Sequence, residues 1–479
     1  MLGCPVTREA VALPPLHALA ARHAAPRGTR IFTGLNLRSG PPLDTWDDGL
    51  MQTRRTQAPW AAPRASRPLA ANVALPGSKS LTNRALVLAA LAEGRSVVRR
   101  PLRSRDTELM AQALRVLGIH VTDAGDDWVV DGVPGPLQPT GGAVDVGNAG
   151  TVARFLPAVA ALSNAVVRFD GDPRVRERPL GPLLTALRSL GADLSGVVSL
   201  PVTVTGHASV RGGPVDVDAT QSSQLVSGLL LAAPRFDRGV AVRHVGGRLP
   251  SAPHLELTVD ALRAAGATVD DSTPGTWVVA PGALRPRDAA VEPDLSTAAA
   301  YLAAPLVAGG SVTVTGWPRD TRQPGSVLPD LLAAMGGVVA RTDDAVTVSQ
   351  GARLHGIEAD LADAPELTPV LTALAALADS PSRFWGVAHI RLQETDRLAA
   401  LAQELNGLGA DVSDTADGLE VRPRTLTGGL LSTYDDHRLA MAWAVLGLGV
   451  EGVRLDDVAT TRKTVPDFVG SWSRLLEGP

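Results

Sequence analysis

Apolar positions along this chain fall into two alternating helix patterns, separated by short strands of period two, and the set recurs about every 70 residues. One pattern ends on Leu-x-x-x-Gly: LRVLG (114–118), LRSLG (187–191), LRAAG (262–266), LAAMG (332–336) and LNGLG (405–409). Successive glycines lie 73, 75, 70 and 73 residues apart. A glycine closing an amphipathic helix predicts a C-terminal cap, because it takes positive φ without steric cost. Alternating strands follow, in DDWVVDG, GTWVVAPG, DAVTVSQG and DGLEVRP. The second pattern opens on small polar residues and turns apolar: SKSLTNRALVLAALAEG, NAGTVARFLPAVAAL, TQSSQLVSGLLLAA, DLSTAAAYLAAPLVAGG, PELTPVLTALAALAD and DDHRLAMAWAVLGLG. A helix that is apolar on nearly every side must be buried. Six such units fill almost all of the 413 residues from 67 to 479. The pattern therefore predicts six copies of a βαβαββ unit, in two groups of three, with helices inside and sheets outside. The last copy is expected to be completed by the first strand. The Pro- and charge-rich stretch 281–293 (PGALRPRDAAVEP) suits a hinge, with function in the cleft between the groups.

Residues 1–66 show neither period and are expected to form a disordered extension, with order starting near Leu69; Met51 is an alternative start. Of 479 residues 45% are apolar, enough for more than one core. Basic residues number 45 and acidic residues 49, which argues against a broad nucleic-acid-binding surface. The single cysteine, Cys4, excludes an internal disulfide and a cysteine-cluster metal site. The longest run without Asp, Glu, Lys or Arg, 295–318, is broken by Pro305 and Gly309-Gly310 and is not a membrane span. With no export signal visible, a cytoplasmic protein is the expectation.

The chemistry gathers where the apolar helices begin. LPGSKSLTNR sets Lys79, Ser80 and Arg84 beside free backbone N–H groups, an anion site that lacks the nucleotide P-loop spacing. DVGNAGTVAR repeats the idea with Asn148, Gly150, Thr151 and Arg154; a helix cap alone is the plainer reading. In DPRVRERPL, Arg174, Arg176 and Arg178 alternate and would share one face of an extended strand, either as an anion fork or as an exposed charged loop. TQSSQ offers the neutral donors Ser222, Ser223 and Gln224. HIRLQETDR places Glu394 and Arg397 one turn apart, a surface ion pair or an acid/base carboxylate beside a gripping cation. His437 and Arg438 open the last apolar helix, Lys463 lies near the C-terminus, and Glu366 (APELTP) stands at another helix entrance. Together Lys79, Arg84, Arg154, Arg174, Arg397, Arg438 and Lys463 imply one small polyanionic ligand. No motif is built for a metal, a dinucleotide or nucleic acid.

From about Leu69 onward the chain resembles the enolpyruvyl transferases. LPGSKSLTNRA, GNAGT, RERPL, SSQ, ETDR, DDHRLAM and KTVPDF match their signatures in order, most specifically those of the branch acting on 3-phosphoshikimate. The resemblance implies a two-domain inside-out α/β prism, with 67–77 plus 293–479 as one discontinuous domain and 78–292 as the other. It implies a cytoplasmic monomer, without cofactor, metal, nucleic-acid or membrane partner. This monomer would move the enolpyruvyl group of phosphoenolpyruvate to the 5-hydroxyl of 3-phosphoshikimate on the shikimate route to chorismate and aromatic amino acids. Lys79, Asn148, Gly150, Arg174, Gln224, Arg397, Arg438 and Lys463 would surround phosphoenolpyruvate. Ser80, Arg84, Ser222, Ser223, Gln224, Ser251, Glu366, His389 and Gln393 would hold 3-phosphoshikimate. Lys79, Glu366, Glu394 and Lys463 are the catalytic candidates, and Gly150 leaves room for the inhibitor glyphosate. Five positions depart from the family's familiar residues. Glu366 stands for Asp, Gln393 for Lys, His389 for Asn, His254 for Tyr and Phe155 for Pro. The loss of a lysine at Gln393 leaves His389 or Arg391 to compensate. Two alternatives are a UDP-N-acetylglucosamine enolpyruvyl transferase, which usually carries a reactive cysteine in a mobile loop, and a non-catalytic phosphometabolite-binding protein.

Overall fold

Helices in this protein alternate between fully buried and half-buried along the chain, as the two patterns require. The computed structural model describes residues 58–478. In the first half the helices are α1 (Lys79–Leu91), α2 (Arg105–Val116), α3 (Gly150–Ala160), α4 (Gly181–Ser189), α5 (Gln224–Ala232) and α6 (Ala252–Ala264). In the second they are α7 (Ala298–Ala308), α8 (Leu328–Ala334), α9 (Thr368–Leu377), α10 (Arg397–Gly407), α11 (His437–Gly449) and α12 (Phe468–Glu477). Odd-numbered helices pack on one another, α1, α3 and α5 in one half and α7, α9 and α11 in the other. Every residue of α3 is buried. Even-numbered helices bury one stripe: α10 turns Leu398, Leu401 and Leu405 inward, at spacings of three and four. The five Leu-x-x-x-Gly glycines all carry positive φ, between 88° and 100°, and end their helices as expected.

Five four-stranded sheets share one order. An edge strand pairs in parallel with its neighbour, and two antiparallel pairings follow. In one, Ala143–Asp145 lies parallel to Val166–Asp170, which pairs with Val202–Thr205 and through it with Asp193–Leu194. In two sheets the parallel edge strand comes from a distant part of the chain. Asp288–Ala290 joins Arg95–Arg99, and Leu69–Ala74 joins Gly310–Thr315. The apolar residues separate into two cores, one spanning 86–291 and the other made of Leu69 with 295–476. The two connections between the cores run side by side. Ser78 N–H donates to the Glu292 carbonyl at 2.7 Å, and Asp294 N–H to the Pro76 carbonyl at 2.9 Å. The crossing thus falls at 291–294, the end of the expected hinge. The earlier part of that stretch is tied down by Arg285 N–H on the Ala265 carbonyl and by the 288–290 strand.

The sixth sheet corrects one expectation. Leu430–Leu431 lies parallel to Arg454–Leu455, and the sheet is completed by Trp60–Ala61, nine residues before Leu69. The Trp60 ring meets Phe468 edge-on at 6.5 Å. The last unit is completed by Trp60–Ala61 and not by the strand that starts at Leu69, which joins Gly310–Thr315; structure begins earlier than periodicity indicated, because a two-residue strand carries no period. Residues 1–57, including the alternative start at Met51, lie outside the described residues.

Candidate functional site

All six buried helices send their N-terminal ends into one cleft of about 110 Å³, lined among others by Ser78, Gly150, Gln224, Ser296, Glu366 and His437. A buried apolar helix can expose polar groups only at its ends, which is why each opens on small polar residues. The first N–H groups of a helix lack intrahelical acceptors and carry the positive end of its dipole. Six of them facing one space favour negative charge there.

Basic side chains reinforce that field. Lys79 Nζ lies 3.3 Å from Asp106, and Lys463 Nζ 2.8 Å from Glu394 and 3.7 Å from Asp106. Lys463 also donates across the cleft to the Asn148 carbonyl at 3.3 Å. Arg397, 2% exposed, is held by Asp436 at 2.8 Å and Glu394 at 2.9 Å, and its Nη1 donates to Gln393 Oε1 at 2.6 Å. Arg154 donates to Gln224 at 3.1 Å, and Arg178 donates to the Asn148 carbonyl, also at 3.1 Å. The Nε atoms of Arg154 and Arg178 are buried with no acceptor among the described residues. Burial pushes Lys79 below its usual pKa; Asp106 opposes this and Lys463 adds to it. Arg154 is lowered to about 9 by burial and by Arg178. Burial alone would raise Glu394, yet Lys463, Arg397, Arg178 and Lys79 outweigh it and hold the carboxyl well below its usual range.

Most residues expected at the site line the cleft. Lys79, Gly150, Gln224, Arg397 and Arg438 do so on the side expected to take phosphoenolpyruvate. Lys463 and Asn148 adjoin it through the contacts above. On the side expected to take 3-phosphoshikimate, Ser80, Ser222, Ser223 and Ser251 line it, together with Glu366, His389 and Gln393. Ser251 holds a left-handed backbone at φ 53° and donates its N–H to Ala362 in the other half. Strain of this kind collects at functional sites. A Cβ on Gly150 would come within 2.7 Å of both Arg154 Nη1 and Arg178 Nη2, so the glycine gives these arginines their room.

Two arginines are not where they were expected. The RERPL segment does not form a strand: Pro173–Glu177 is a 3₁₀ turn, which fans its arginines apart. Arg174 donates to the Gln393 and Arg391 carbonyls and pairs with Glu177, Arg176 pairs with Asp170, and Arg178 enters the cleft. The cleft arginine of this segment is therefore Arg178 and not Arg174. Arg84 is buried and committed to Thr258 Oγ1 at 2.8 Å and to the Ser80 and His254 carbonyls at 2.9 and 2.8 Å, with Phe155 5.4 Å from its guanidinium. It braces the wall of the cleft and does not line it. Asp106, which bridges both lysines, also escaped the sequence reading. At the second position of α2 it looks like any acidic residue in a first helical turn.

The departures around Glu366 act together. Its Oε1 accepts from Ser296 Oγ at 2.9 Å and lies 3.8 Å from His254 Nε2. Burial depresses both His254 and His389 to about 4, against the pull of Glu366. Both imidazoles are therefore neutral near pH 7 and add no charge. Arg391 is taken up by Asp396 and Asp414, so the cation absent at Gln393 is replaced by neither. These histidines make the fold sensitive to acid. Unfolded imidazoles titrate near 6.5 and the folded ones near 4, so between these values the unfolded chain binds more protons. Stability should fall as pH drops from 6.5 toward 4, by up to about 3 kcal/mol per histidine. Glu366, Asp294, Arg84 and Arg438 face His254, and Glu366 and Arg397 face His389, so the size of the loss depends on their charges too. Thermal unfolding at pH 7 and pH 5 checks this: the His254→Gln/His389→Asn double variant should lose less stability on acidification than the parent.

Residues 63–472 match the family model EPSP synthase (3-phosphoshikimate 1-carboxyvinyltransferase). A 3-phosphoshikimate 1-carboxyvinyltransferase of Mycobacterium ulcerans (strain Agy99) is 50% identical over 426 residues, 88% of this chain and 98% of that protein. The solved EPSP synthase of Acinetobacter baumannii superposes with a TM-score of 0.72 at 24% identity, covering 87% of this chain and 97% of the other. The enolpyruvyl transferase NikO from Streptomyces tendae superposes at 0.68 with 21% identity, covering 86% and 96%. At these identities the two structures establish the shared two-domain α/β fold.

Proposed function

The chain belongs to the EPSP synthase family, and from that premise we propose that its cleft transfers the enolpyruvyl group of phosphoenolpyruvate to the 5-hydroxyl of 3-phosphoshikimate. The observation that carries this reading is the division of the cleft. Lys79, Arg178, Arg397 and Arg438, with Lys463 beside them, suit a compact substrate bearing both phosphate and carboxylate. The hydroxyls of Ser222, Ser223 and Ser251 suit a second phosphate without further charge. Glu366 stands among the residues of the second group and lines the same cleft.

The reaction is an addition followed by an elimination. Glu366 takes the proton of the 5-hydroxyl as its oxygen bonds to C2 of phosphoenolpyruvate, and Lys463, held by Glu394, gives a proton to C3. The tetrahedral ketal phosphate then returns a C3 proton to the Lys463–Glu394 pair, C2=C3 re-forms, and phosphate leaves with its charge held by Lys79 and Arg178. The lowered pKa of Lys79 brings it nearer to neutral, which favours proton transfer to the departing oxygen. Preorganised charge around the developing oxyanions does most of the rest. All six helix ends come from one chain, which supports action as a monomer. The domain boundaries we propose, 67–77 plus 293–479 and 78–292, follow the two cores, and the Trp60–Ala61 strand adds to the first of these domains. Among the described residues no helix is long and apolar enough to cross a membrane, and we place the enzyme in the cytoplasm.

Phosphate release from phosphoenolpyruvate tests the reading. It should require 3-phosphoshikimate, and UDP-N-acetylglucosamine should not replace it. Release with the nucleotide sugar, or with neither acceptor, would overturn the assignment. The two arginines of the 3₁₀ segment give a sharper check. Arg178→Ala should lower kcat/KM for phosphoenolpyruvate by about a hundredfold or more, the usual effect of deleting a buried donor to a reacting anion. Arg174→Ala, which removes a clip onto two backbone carbonyls and a solvent-exposed pair with Glu177, should cost less than about tenfold. Steady-state kinetics of both variants would expose the reverse order.

A further inference from the structure

A second cavity, about 650 Å³, lies behind the wall of the catalytic cleft. Its floor is apolar, from Leu81, Ala85 and Leu88 of α1, Val98, Ala261 of α6 and Val291. Its sides carry five arginines, at 84, 285, 287, 319 and 322, against three carboxylates, Asp260, Glu292 and Asp320. Several of these charges are already matched. Arg322 pairs with Glu256 at 3.0 Å and Asp260 at 3.3 Å, Arg319 pairs with Asp343 at 3.4 Å, and Glu292 accepts from Thr321 and Gln323. Arg285 and Arg287 take no ion-pair partner among the described residues, and neither do the acidic lining residues Glu292 and Asp320. Both arginines are exposed, and their backbones are fixed by N–H donation to the Ala265 carbonyl and to Ser96 Oγ.

An apolar floor of this size beside two exposed guanidinium groups that have no ion-pair partner among the described residues and rise from a fixed backbone is a ligand site by its chemistry. We propose that the cavity binds a small molecule with an apolar body and a single carboxylate, the body on α1 and α6 and the carboxylate on Arg285 and Arg287. Guanidinium matches carboxylate in a planar fork. The catalytic cleft would sense this ligand. Leu257 lines both cavities, and Arg84, which lines the second, holds the backbone of Ser80 and His254 in the first. A ligand pressed on that wall shifts the residues that position 3-phosphoshikimate, and the coupling is reciprocal.

trans-Cinnamate serves as the probe, with its uncharged amide as control, in calorimetric titrations of the full chain. Cinnamate should bind one to one, and the amide at least about tenfold more weakly, as expected when a charge-assisted hydrogen bond is lost. Arg285→Ala/Arg287→Ala should weaken cinnamate by a similar factor. Ala264→Trp, at an exposed position on the cavity wall, should block it by filling the space. The proposal is overturned by absence of saturable binding, by equal affinity for acid and amide, or by binding that survives Ala264→Trp and is displaced by phosphoenolpyruvate. Bound cinnamate should also shift the KM for 3-phosphoshikimate at least about twofold in the parent and not in Ala264→Trp. An unchanged KM beside confirmed binding would refute the coupling through Arg84 and Leu257.

Discussion

Turnover of a Lys463→Met variant should fall by about a thousandfold or more, while its melting temperature stays within a few degrees of the parent. The two halves of this expectation rest on different contacts. Lys463 Nζ bridges Glu394 and the Asn148 carbonyl, residues that lie far apart in sequence and come together only when the cleft is assembled. Among the described residues no other ammonium is within ion-pair distance of Glu394, so methionine removes both the proton donor and the cation that completes the anion site. Stability answers to other terms. Glu394 keeps Arg397 at 2.9 Å, and Arg178 and Lys79 continue to lower its pKa. Lys463 also repels Lys79, which burial already strains. Deleting one cation from a crowded cluster relieves part of that repulsion and offsets the lost pair. Rate measurements beside thermal unfolding decide it. Ordinary turnover in a folded variant would remove Lys463 from the chemistry, and a collapse of stability would make it a structural residue.

The parts of this molecule that could be read from sequence are those fixed by local physics. The glycine after each amphipathic helix announces its cap, because no other residue takes φ near 90° so freely. Buried helices announce themselves by having no polar face, and their polar openings, such as SKS and SSQ, mark the only ends at which they meet solvent or ligand. These two signals together carried the sixfold repeat and most of the cleft. What stayed hidden depends on tertiary placement. Arg174 and Arg178 are the same residue type four positions apart, and only the 3₁₀ turn decides which enters the cleft. Arg84 carries a family signature, yet its guanidinium is satisfied by Thr258 and two carbonyls. Asp106 acquires its role only when α2 brings it within 3.3 Å of Lys79 and 3.7 Å of Lys463. The Trp60–Ala61 strand is ordered by a partner nearly 400 residues away, not by any pattern of its own.

Glu394→Gln should be the most destabilising single change in the cleft, and inorganic phosphate should restore part of what it loses. Glu394 is 6% exposed and accepts from Lys463 and Arg397, under the field of Arg178 and Lys79. Glutamine keeps the shape and removes the charge, which leaves these cations facing one another in a dry space. Breaking a buried ion pair from one side costs about 3–5 kcal/mol, because the partner's charge remains uncompensated. The carboxyl of the parent stays ionised well below its usual range, so the contrast between the two chains should persist through mildly acidic solution and fade only when Glu394 itself protonates. A small dianion can take up the vacated role, since its oxygens accept from the same donors. Phosphate should therefore raise the melting temperature of Glu394→Gln more than that of the parent, although neither gains turnover from it. Equal stability of the two chains, or an equal response to phosphate, would mean that the cations are held apart by something other than this carboxylate. The catalytic assignment of the Lys463–Glu394 pair would then lose its physical basis, because a carboxylate that does not organise the cations cannot poise a lysine among them for proton transfer.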